Sequence, residues 1–224
     1  MTGDSQPTRL ILVRHGESNV TVNGVFGGMK SCTGLSDLGR NQAERLRDRF
    51  EAGHEPAIDE VWASNMPRAI ETAEIVNEAL GLELNIEPGL EEFRPGDVDG
   101  MRYSDYVEQY GMPDQLADPY ARIAPNGDSR ATFFLRIGEA LDRLTTARSG
   151  RTLAVFCHGG VIDASFRLLL GIQSELPFQL HTTNTSVTEF VALNESSPRR
   201  WRLVRYNDEA HLAGLPSATP RNPG

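Results

Sequence analysis

Arg14 and His15 are the first residues of this sequence whose types and placement could do chemistry. They end the segment 9–15 (RLILVRH), in which the apolar run Leu10 to Val13 is too short for a stable helix and predicts a buried strand. Gly16 follows and lets the backbone come close to a ligand where the strand opens into a loop. Because α/β sheets bind ligands at this edge, we predict that His15 is a nucleophile in a phosphate pocket.

Two further polar motifs also follow predicted strands directly. Ser64 to Arg68 comes after the predicted strand Ile58 to Ala63, and His158-Gly159-Gly160 comes after the strongly apolar segment Thr152 to Phe156. In a parallel sheet these strand ends meet the end of the first strand at one edge. Arginine binds phosphate through paired hydrogen bonds, so two arginines and two histidines at one edge of a chain with net charge −9 indicate a site for a small dianion.

Breaking a phosphate ester needs a nucleophile and an acid as well as binding groups. A neutral imidazole can attack phosphorus in line while surrounding cations offset the charge on the equatorial oxygens. Glu91 and Glu92 follow the third predicted strand, Leu82 to Ile86, and so lie near the same edge. Burial or the phosphate's own charge would hold one of these carboxyl groups protonated, so that it can give a proton to the departing alkoxide. The resulting carboxylate would then act as the base that activates water.

Helical periodicity and capping residues predict five helices around these strands. They are Ser36 to Phe50 with Ser36 as cap, a helix to about Leu80 capped by Ser64 or Asn65 with Pro67 in its first turn, a short helix near Ser104 to Tyr110, one from Asp128 or Ser129 through Thr145, and Val161 to Leu170. The alternating segments Thr185 to Leu193 and Trp201 to Tyr206 predict closing strands that could form a hairpin at the sheet edge. This order predicts an α/β fold, a three-layer α/β/α sandwich with a mainly parallel sheet.

The remaining segments are expected to be irregular. Asn19 to Gly34 is rich in Gly, Thr and Asn and predicts a loop, and Leu90 to Asn126 carries four prolines and predicts a cap-like excursion over the site. We expect one domain over residues 1–224, with flexible ends at 1–8 and 213–224.

The composition of the 224 residues excludes several classes of protein. A hydrophobic fraction of 39% fits a globular domain, and a net charge of −9 argues against a nucleic-acid binder. The sequence has neither a basic start followed by an apolar run nor an apolar stretch that could span a bilayer, so we expect no membrane association and a cytoplasmic location. Cys32 and Cys157 make no disulfide framework, and no cluster has metal-ligand spacing, so we expect no metal and no cofactor.

The motif Arg14-His15-Gly16-Glu17-Ser18 resembles the signature of the histidine phosphatase superfamily, which includes the cofactor-dependent phosphoglycerate mutases. Further motifs follow in the family's order and cover most of the chain: Leu35 to Ala43, Ser64 to Ala69 with Thr72-Ala73, Leu90 to Gly100, Gly127 to Ser129, and His158 to Gly160. The resemblance implies a phosphoglycerate mutase-like fold. It also implies that His15 becomes a phosphohistidine and that Glu92 is the proton donor, since the family's acid stands two residues after the leucine and four before the glycine.

The resemblance further implies which residues bind the substrate's phosphoryl group. They are Arg14, Arg68 and His158, and we expect Thr21 and Gly159 to contribute to the same binding. Thr21 stands where the family commonly has asparagine, so its hydroxyl, Asn19 or Asn23 could make that contact. Val98 stands where many small phosphatases have tryptophan, which changes the wall of the substrate cleft.

Some of these residues also have ordinary structural interpretations. Arg68 could pair with Glu71 or Glu74 on its own helix, a common surface arrangement of small energetic value. Cys157 is expected to fill a small buried space rather than act as a nucleophile. Arg94 fits an ordinary surface residue at least as well as a substrate contact.

The motifs together predict a histidine-type phosphatase that hydrolyses a small phosphorylated metabolite, its expected partner. A mutase of the same family is an alternative, although mutases generally carry a longer insertion after the acid than residues 93–126 provide. A protein that binds phosphorylated ligands without turnover is another alternative, but it would need neither His15 nor Glu92. A homodimer is compatible with the sequence, which does not identify the physiological substrate.

Overall fold

A six-stranded mixed sheet forms the centre of the computed structural model, which describes residues 6–173, 176, 178, 180–194 and 199–216. The strands are β1 (Arg9–Arg14), β2 (Glu60–Ala63), β3 (Leu84–Ile86), β4 (Thr152–Cys157), β5 (Val187–Ala192) and β6 (Trp201–Asp208). Their order across the sheet is β3-β2-β4-β1-β5-β6. The first four strands in the chain run parallel, and β5 and β6 form an antiparallel hairpin at one edge, as the sequence predicts.

Helices cover both faces of this sheet. The helices of the described residues are α1 (Asn19–Val22), α2 (Asp37–Glu51), α3 (Pro67–Leu80), α4 (Tyr103–Tyr110), α5 (Arg130–Thr146) and α6 (Gly159–Leu170). Of these, α5 and α6 pack on one face of the sheet and α2 and α3 on the other. Along β1 the fully buried side chains alternate: Leu10 and Leu12 pack with residues of α5 and α6, whereas Ile11 and Val13 pack with residues of α2 and α3. A strand buried on both faces is therefore apolar throughout. The arrangement confirms the predicted three-layer α/β/α fold.

The starts of the helices follow their capping residues in two cases and differ in a third. The Ser36 hydroxyl accepts a hydrogen bond from the Gly39 amide, and Ser129 forms a capping box with Thr132 at the start of α5. At α3 the cap position is Met66, which makes no side-chain bond, so the predicted cap at Ser64 or Asn65 is wrong. Both side chains have other partners, since Asn65 donates to Glu91 and the Ser64 hydroxyl bonds to His158.

Two predictions about irregular segments also need correction. The loop predicted over residues 19–34 begins with the single turn α1, in which the Ser18 carbonyl accepts bonds from the amides of Thr21 and Val22. Such a turn is too short to leave a periodic pattern in the sequence. Thr8 is fully buried and bonded to Gly150, so the expected flexible end does not include it. Residues 1–5 and 217–224 of the expected flexible ends lie outside the described residues.

The excursion over residues 90–126 has a small core of its own. Val98, Tyr106 and Ala124 are buried together, and the Tyr106 hydroxyl donates to the carbonyl of Ile123. The short helix α4 lies where the sequence predicts it. Within the described part of the chain, no helix has the length and apolar character that crossing a membrane requires.

Close backbone contact fixes the loop after β1 against α2. A Cβ atom added to Gly16 would overlap the carbonyl of Gly39, and one added to Gly39 would overlap the carbonyl oxygen of Glu17. The Glu17 amide also donates to the Gln42 side chain, and its carboxylate accepts from Ser36. The two glycines therefore allow the loop that follows β1 to lie directly on the first turn of α2.

We expect Gly39→Ala to destabilise the protein, although it replaces a helical glycine. Helix propensity alone would raise the free energy of unfolding by about 1 kcal/mol, but overlap with rigid backbone costs roughly 1–3 kcal/mol or more. The matched control is Gly138→Ala in α5, where the added Cβ would lie 3.7 Å from Leu168 Cδ1, an ordinary contact. Urea unfolding should show a lower stability for Gly39→Ala and an equal or higher one for Gly138→Ala. Equal gains in the two variants would contradict the packing argument.

Candidate active site

His15 and His158 lie side by side because they follow neighbouring parallel strands. Arg14 at the end of β1 is in register with Cys157 at the end of β4, so the next residue of each strand emerges at the same edge. The centroids of the two imidazole rings are 5.1 Å apart. The topology of the sheet therefore brings the two predicted site histidines together.

The imidazole of His15 is held with one nitrogen directed into the site. Its Nδ1 lies 2.6 Å from the carbonyl oxygen of Gly16, which can only accept, so Nδ1 carries the proton in the neutral ring. Its Nε2 then bears the lone pair and accepts a 3.1 Å hydrogen bond from Nε of Arg68. The residue as a whole is 2% exposed. Backbone geometry thus selects the tautomer that a nucleophilic histidine needs.

Both predicted arginines point into this site. Arg68, in the first turn of α3, is buried and also donates through Nη1 to the carbonyl of Gly27 at 3.1 Å. The surface pairing with Glu71 considered from sequence is not formed, because Glu71 binds other groups. Arg14 is buried as well and donates to the carbonyl of Thr182, and its guanidinium lies beside Gly159.

His158 is fixed by a partner that the sequence did not indicate. Its Nε2 lies 2.9 Å from the hydroxyl of Ser64, which follows β2 at the same edge of the sheet, and both residues are fully buried.

Cys157, the residue immediately before His158, is fully buried, and this burial raises the pKa of its thiol far above the usual range, with a smaller contribution from the charge of Glu92. A thiol in this state is not a nucleophile at neutral pH, which agrees with the packing role expected from the sequence.

The backbone behind His15 is held by residues that sequence reasoning missed. Asn184 Nδ2 donates to the carbonyl of His15 at 2.8 Å, and the Thr185 amide donates to the carbonyl of Arg14 at 2.9 Å. Thr185 has a φ of +55°, which is strained for a branched residue. A signal was available, because β5 is antiparallel to β1 and the residues that precede it therefore lie at the catalytic edge.

His211, near the carboxyl terminus of the chain, contacts the side chain of Thr185. The Thr185 hydroxyl donates to the carbonyl of Asn184 and lies 3.0 Å from Nε2 of His211. Burial, assisted by the positive charge of Arg49, lowers the pKa of His211 to about 4. The imidazole is therefore neutral at pH 7 and can donate through Nε2 to Thr185 while Nδ1 faces Arg49.

The two glutamates after β3 have separate partners. The Glu92 carboxylate accepts hydrogen bonds from the amides of Phe93 and Gly160, both at 3.0 Å. Since Gly160 is in the first turn of α6, two residues after His158, the carboxylate lies at the amino end of this helix. Glu91 accepts from Asn65 Nδ2 at 2.8 Å and forms an ion pair with Arg94. Of the two carboxylates, only Glu92 accepts a hydrogen bond from the first turn of α6, whose cap residue is His158.

A cavity of about 200 Å³ adjoins Glu92. Its apolar wall is formed by Met29, Met66, Phe93 and Pro95, and its polar wall by Glu91, Glu92, Arg94, Asp99 and Asn126. The excursion contributes most of these residues. The cavity is large enough for a small organic group next to the proposed acid.

The three residues considered for the additional phosphate contact, Thr21, Asn19 and Asn23, bond to other groups or are exposed, and their role stays a prediction. The Thr21 hydroxyl bonds to Ser18 at 3.0 Å, Asn19 donates to Thr33, and Asn23 is exposed. Among the described residues, no group of three histidine, cysteine, aspartate or glutamate side chains is placed to hold a metal ion.

Comparison with known proteins decides the family. The sequence model of the histidine phosphatase superfamily (branch 1) matches residues 10–209. The chain belongs to the histidine phosphatase superfamily. It is therefore a phosphatase of the histidine type, which confirms the recognition and the enzyme class predicted from sequence.

Full-length relatives support this membership in the histidine phosphatases. A protein of Hydrogenobacter thermophilus, provisionally named phosphoserine phosphatase 2, is 29% identical over 92% of this chain and 98% of its own. Phosphoglycerate mutase-like protein 4 of Arabidopsis thaliana is 28% identical over 93% and 89%. The mycobacterial glucosyl-3-phosphoglycerate phosphatase, solved with inorganic phosphate, is 25% identical with a TM-score of 0.75 over 92% of this chain and 99% of that one.

In this histidine phosphatase, Asp99 of the excursion (residues 90–126) forms hydrogen bonds with the loop that carries Gly27. Its carboxylate accepts from the amides of Gly28 and Lys30, at 3.0 and 2.9 Å, and from the Ser31 hydroxyl. The carbonyl of Gly27 in the same loop orients Arg68, which in turn bonds to the nucleophile candidate. Asp99 thus acts on the site through Arg68 and is a positioning residue.

We expect Asp99→Asn to weaken oxyanion binding about tenfold, since an amide accepts fewer of these bonds and the Gly27 carbonyl loses its fixed position. The matched control is Asp97→Asn on the same turn, where the side chain is exposed and bonds only to Asn126 among the described residues. Calorimetric titration with orthovanadate measures both. The same affinity in Asp99→Asn and Asp97→Asn would show that Arg68 does not depend on this carboxylate.

Proposed function

We propose that the protein hydrolyses a phosphomonoester of a small metabolite through a covalent phosphohistidine on His15. The observation that carries this proposal is the environment of His15 Nε2, whose lone pair faces the buried guanidinium of Arg68 while Nδ1 is occupied by the Gly16 carbonyl. A phosphate that enters between Arg68 and His15 would break their hydrogen bond. The lone pair of Nε2 would then face the phosphorus atom, and the guanidinium of Arg68 would donate to an equatorial oxygen.

In the first step Nε2 of His15 attacks phosphorus and the bond from phosphorus to the ester oxygen breaks. The cations of Arg14 and Arg68, with His158, offset the charge on the equatorial oxygens. Glu92 gives its proton to the departing alkoxide. The amino end of α6 next to Gly159 favours the anion in the same way.

In the second step a water molecule attacks the phosphohistidine from the side that the alcohol has left. Glu92, now ionised, takes the proton from this water, and the bond between phosphorus and His15 breaks to release inorganic phosphate. The same carboxyl group thus serves both half-reactions, and the proton balance closes in one turnover.

Relatives named phosphoserine phosphatase and glucosyl-3-phosphoglycerate phosphatase support a small phosphorylated metabolite as substrate. Release of phosphate into solution distinguishes this hydrolase from a mutase, which would return the phosphoryl group to the product. The cytoplasmic location and the homodimer considered from sequence stay predictions.

We expect His15→Ala to lower the rate of phosphate release by about a thousandfold or more, because the variant lacks the imidazole that forms the proposed intermediate. Wild-type protein quenched in alkali during turnover of radiolabelled substrate should carry label that is lost in acid, as a phosphoramidate is. The control is His54→Ala, an exposed histidine, which should keep both label and rate. Wild-type rates in His15→Ala would rule out the proposed nucleophile.

We expect Glu92→Gln to affect substrates according to their leaving groups. For an alkyl phosphate, kcat/KM should fall by about 10²–10⁴ because the alkoxide needs a proton, whereas for 4-nitrophenyl phosphate the fall should be much smaller. kcat/KM reports the first irreversible step, so it is insensitive to slow hydrolysis of the intermediate. An equal loss for both substrates would argue against Glu92 as the acid.

A further inference from the structure

The cavity beside Glu92 is the place where the leaving alcohol must lie if the proposed function holds. The acid has to reach the ester oxygen, and the rest of the alcohol then extends away from the phosphate. Within the described residues this space is bounded by the Gly28 loop, Met66 and the segment from Glu91 to Gly96. The chemistry of its polar wall therefore indicates which alcohol fits.

The carboxylates of this wall are already engaged by donors of the protein. Glu92 is held by two backbone amides, Glu91 by Asn65 and Arg94, and Asp99 by the loop that carries Gly28. These acidic groups therefore have limited capacity to accept hydrogen bonds from a substrate.

Arg94 differs from them because part of its bonding capacity is unused. Its Nε donates to Glu91, but its two terminal amino groups have no partner among the described residues, and its side chain is 48% exposed at the cavity. The backbone amide of Arg94 is fixed by Asp128 at 3.0 Å, and the buried Glu91 is fixed by Asn65. The guanidinium is thus anchored along one edge and offers the other edge to a ligand.

We propose that Arg94 is a specificity-determining residue that binds a carboxylate on the leaving alcohol, and that Glu91 positions it. A guanidinium edge matches the two oxygens of a carboxylate and gives paired, charge-assisted hydrogen bonds. A second phosphate is less favourable, because Glu91, Glu92 and Asp99 line the same cavity and Arg94 is the one cationic residue among the described residues of its lining. The substrate class is accordingly the phosphomonoester of a small hydroxy acid.

Two compounds that differ at one group test this assignment. 3-Phosphoglycerate carries a carboxylate where glycerol 3-phosphate carries a hydroxymethyl group, and both share the phosphate end. We expect the wild-type kcat/KM to favour 3-phosphoglycerate by about tenfold or more, the value of a charged hydrogen bond. Arg94→Gln should remove about tenfold of this ratio, mainly through KM, and Arg94→Lys should retain part of it.

The matched control is Arg143→Gln, since Arg143 is similarly exposed (54%) and paired with Glu87 but lies outside the cavity lining. Its selectivity ratio should equal that of the wild type. Glu91→Gln should raise KM for 3-phosphoglycerate with little change in kcat, because it loosens Arg94 without touching the reacting atoms.

A wild-type ratio near one, or the same ratio in Arg94→Gln, would overturn the assignment of Arg94. Hydrolysis of 4-nitrophenyl phosphate without hydrolysis of either test compound would also overturn it, while the proposed function would stand. If the protein hydrolysed none of the three compounds, the proposed function itself would be overturned, and the substrate class with it.

Discussion

The hydrogen bond from Arg68 to Nε2 of His15 is the interaction on which the rest of the site depends. It can form only because the Gly16 carbonyl occupies the other ring nitrogen and leaves the lone pair on Nε2. A histidine with the opposite tautomer would present a proton to the phosphate instead of a nucleophile. The backbone of one loop thus determines the chemical character of the ring.

Much of the surrounding structure serves to keep that loop in place. Gly16 and Gly39 allow the backbone of the loop to contact α2, and Asn184 and Thr185 hold it from the opposite side. These contacts join elements that are far apart in the chain, so several elements together hold the backbone of His15. Rigid placement of a nucleophile reduces the entropy lost when the substrate reaches the reactive geometry.

Buried cations are a second constraint on the site. Arg14 and Arg68 are nearly inaccessible to water, and Arg68 donates to the His15 ring and to the carbonyl of Gly27. Burying such charges is unfavourable unless anions or dipoles compensate them. A phosphate dianion provides that compensation better than neutral carbonyls do, which explains how a protein of net charge −9 can bind an anionic substrate.

The sequence predicted the parts of the fold and site that depend on strand ends. Apolar runs followed at once by polar motifs located the two histidines and Arg68, and the parallel order of the strands placed them at one edge. The same reasoning could not find the bond between Ser64 and His158, because a serine before a helix is equally suited to capping. Asn184 precedes a strand instead of following one, and it reaches the same edge because that strand is antiparallel to β1.

Long-range contacts also explain the positioning roles of Asp99 and Glu91. Neither residue belongs to a periodic element, and the partners Gly28 and Asn65 lie in loops distant from them in the chain.

The most direct test of the account is a crystal structure of the protein with orthovanadate. We predict a five-coordinate vanadium bonded to Nε2 of His15, with Arg14, Arg68 and His158 on its equatorial oxygens and Glu92 against the opposite apical oxygen. Vanadate bound without a bond to His15, or with Glu92 distant from the apical oxygen, would contradict it.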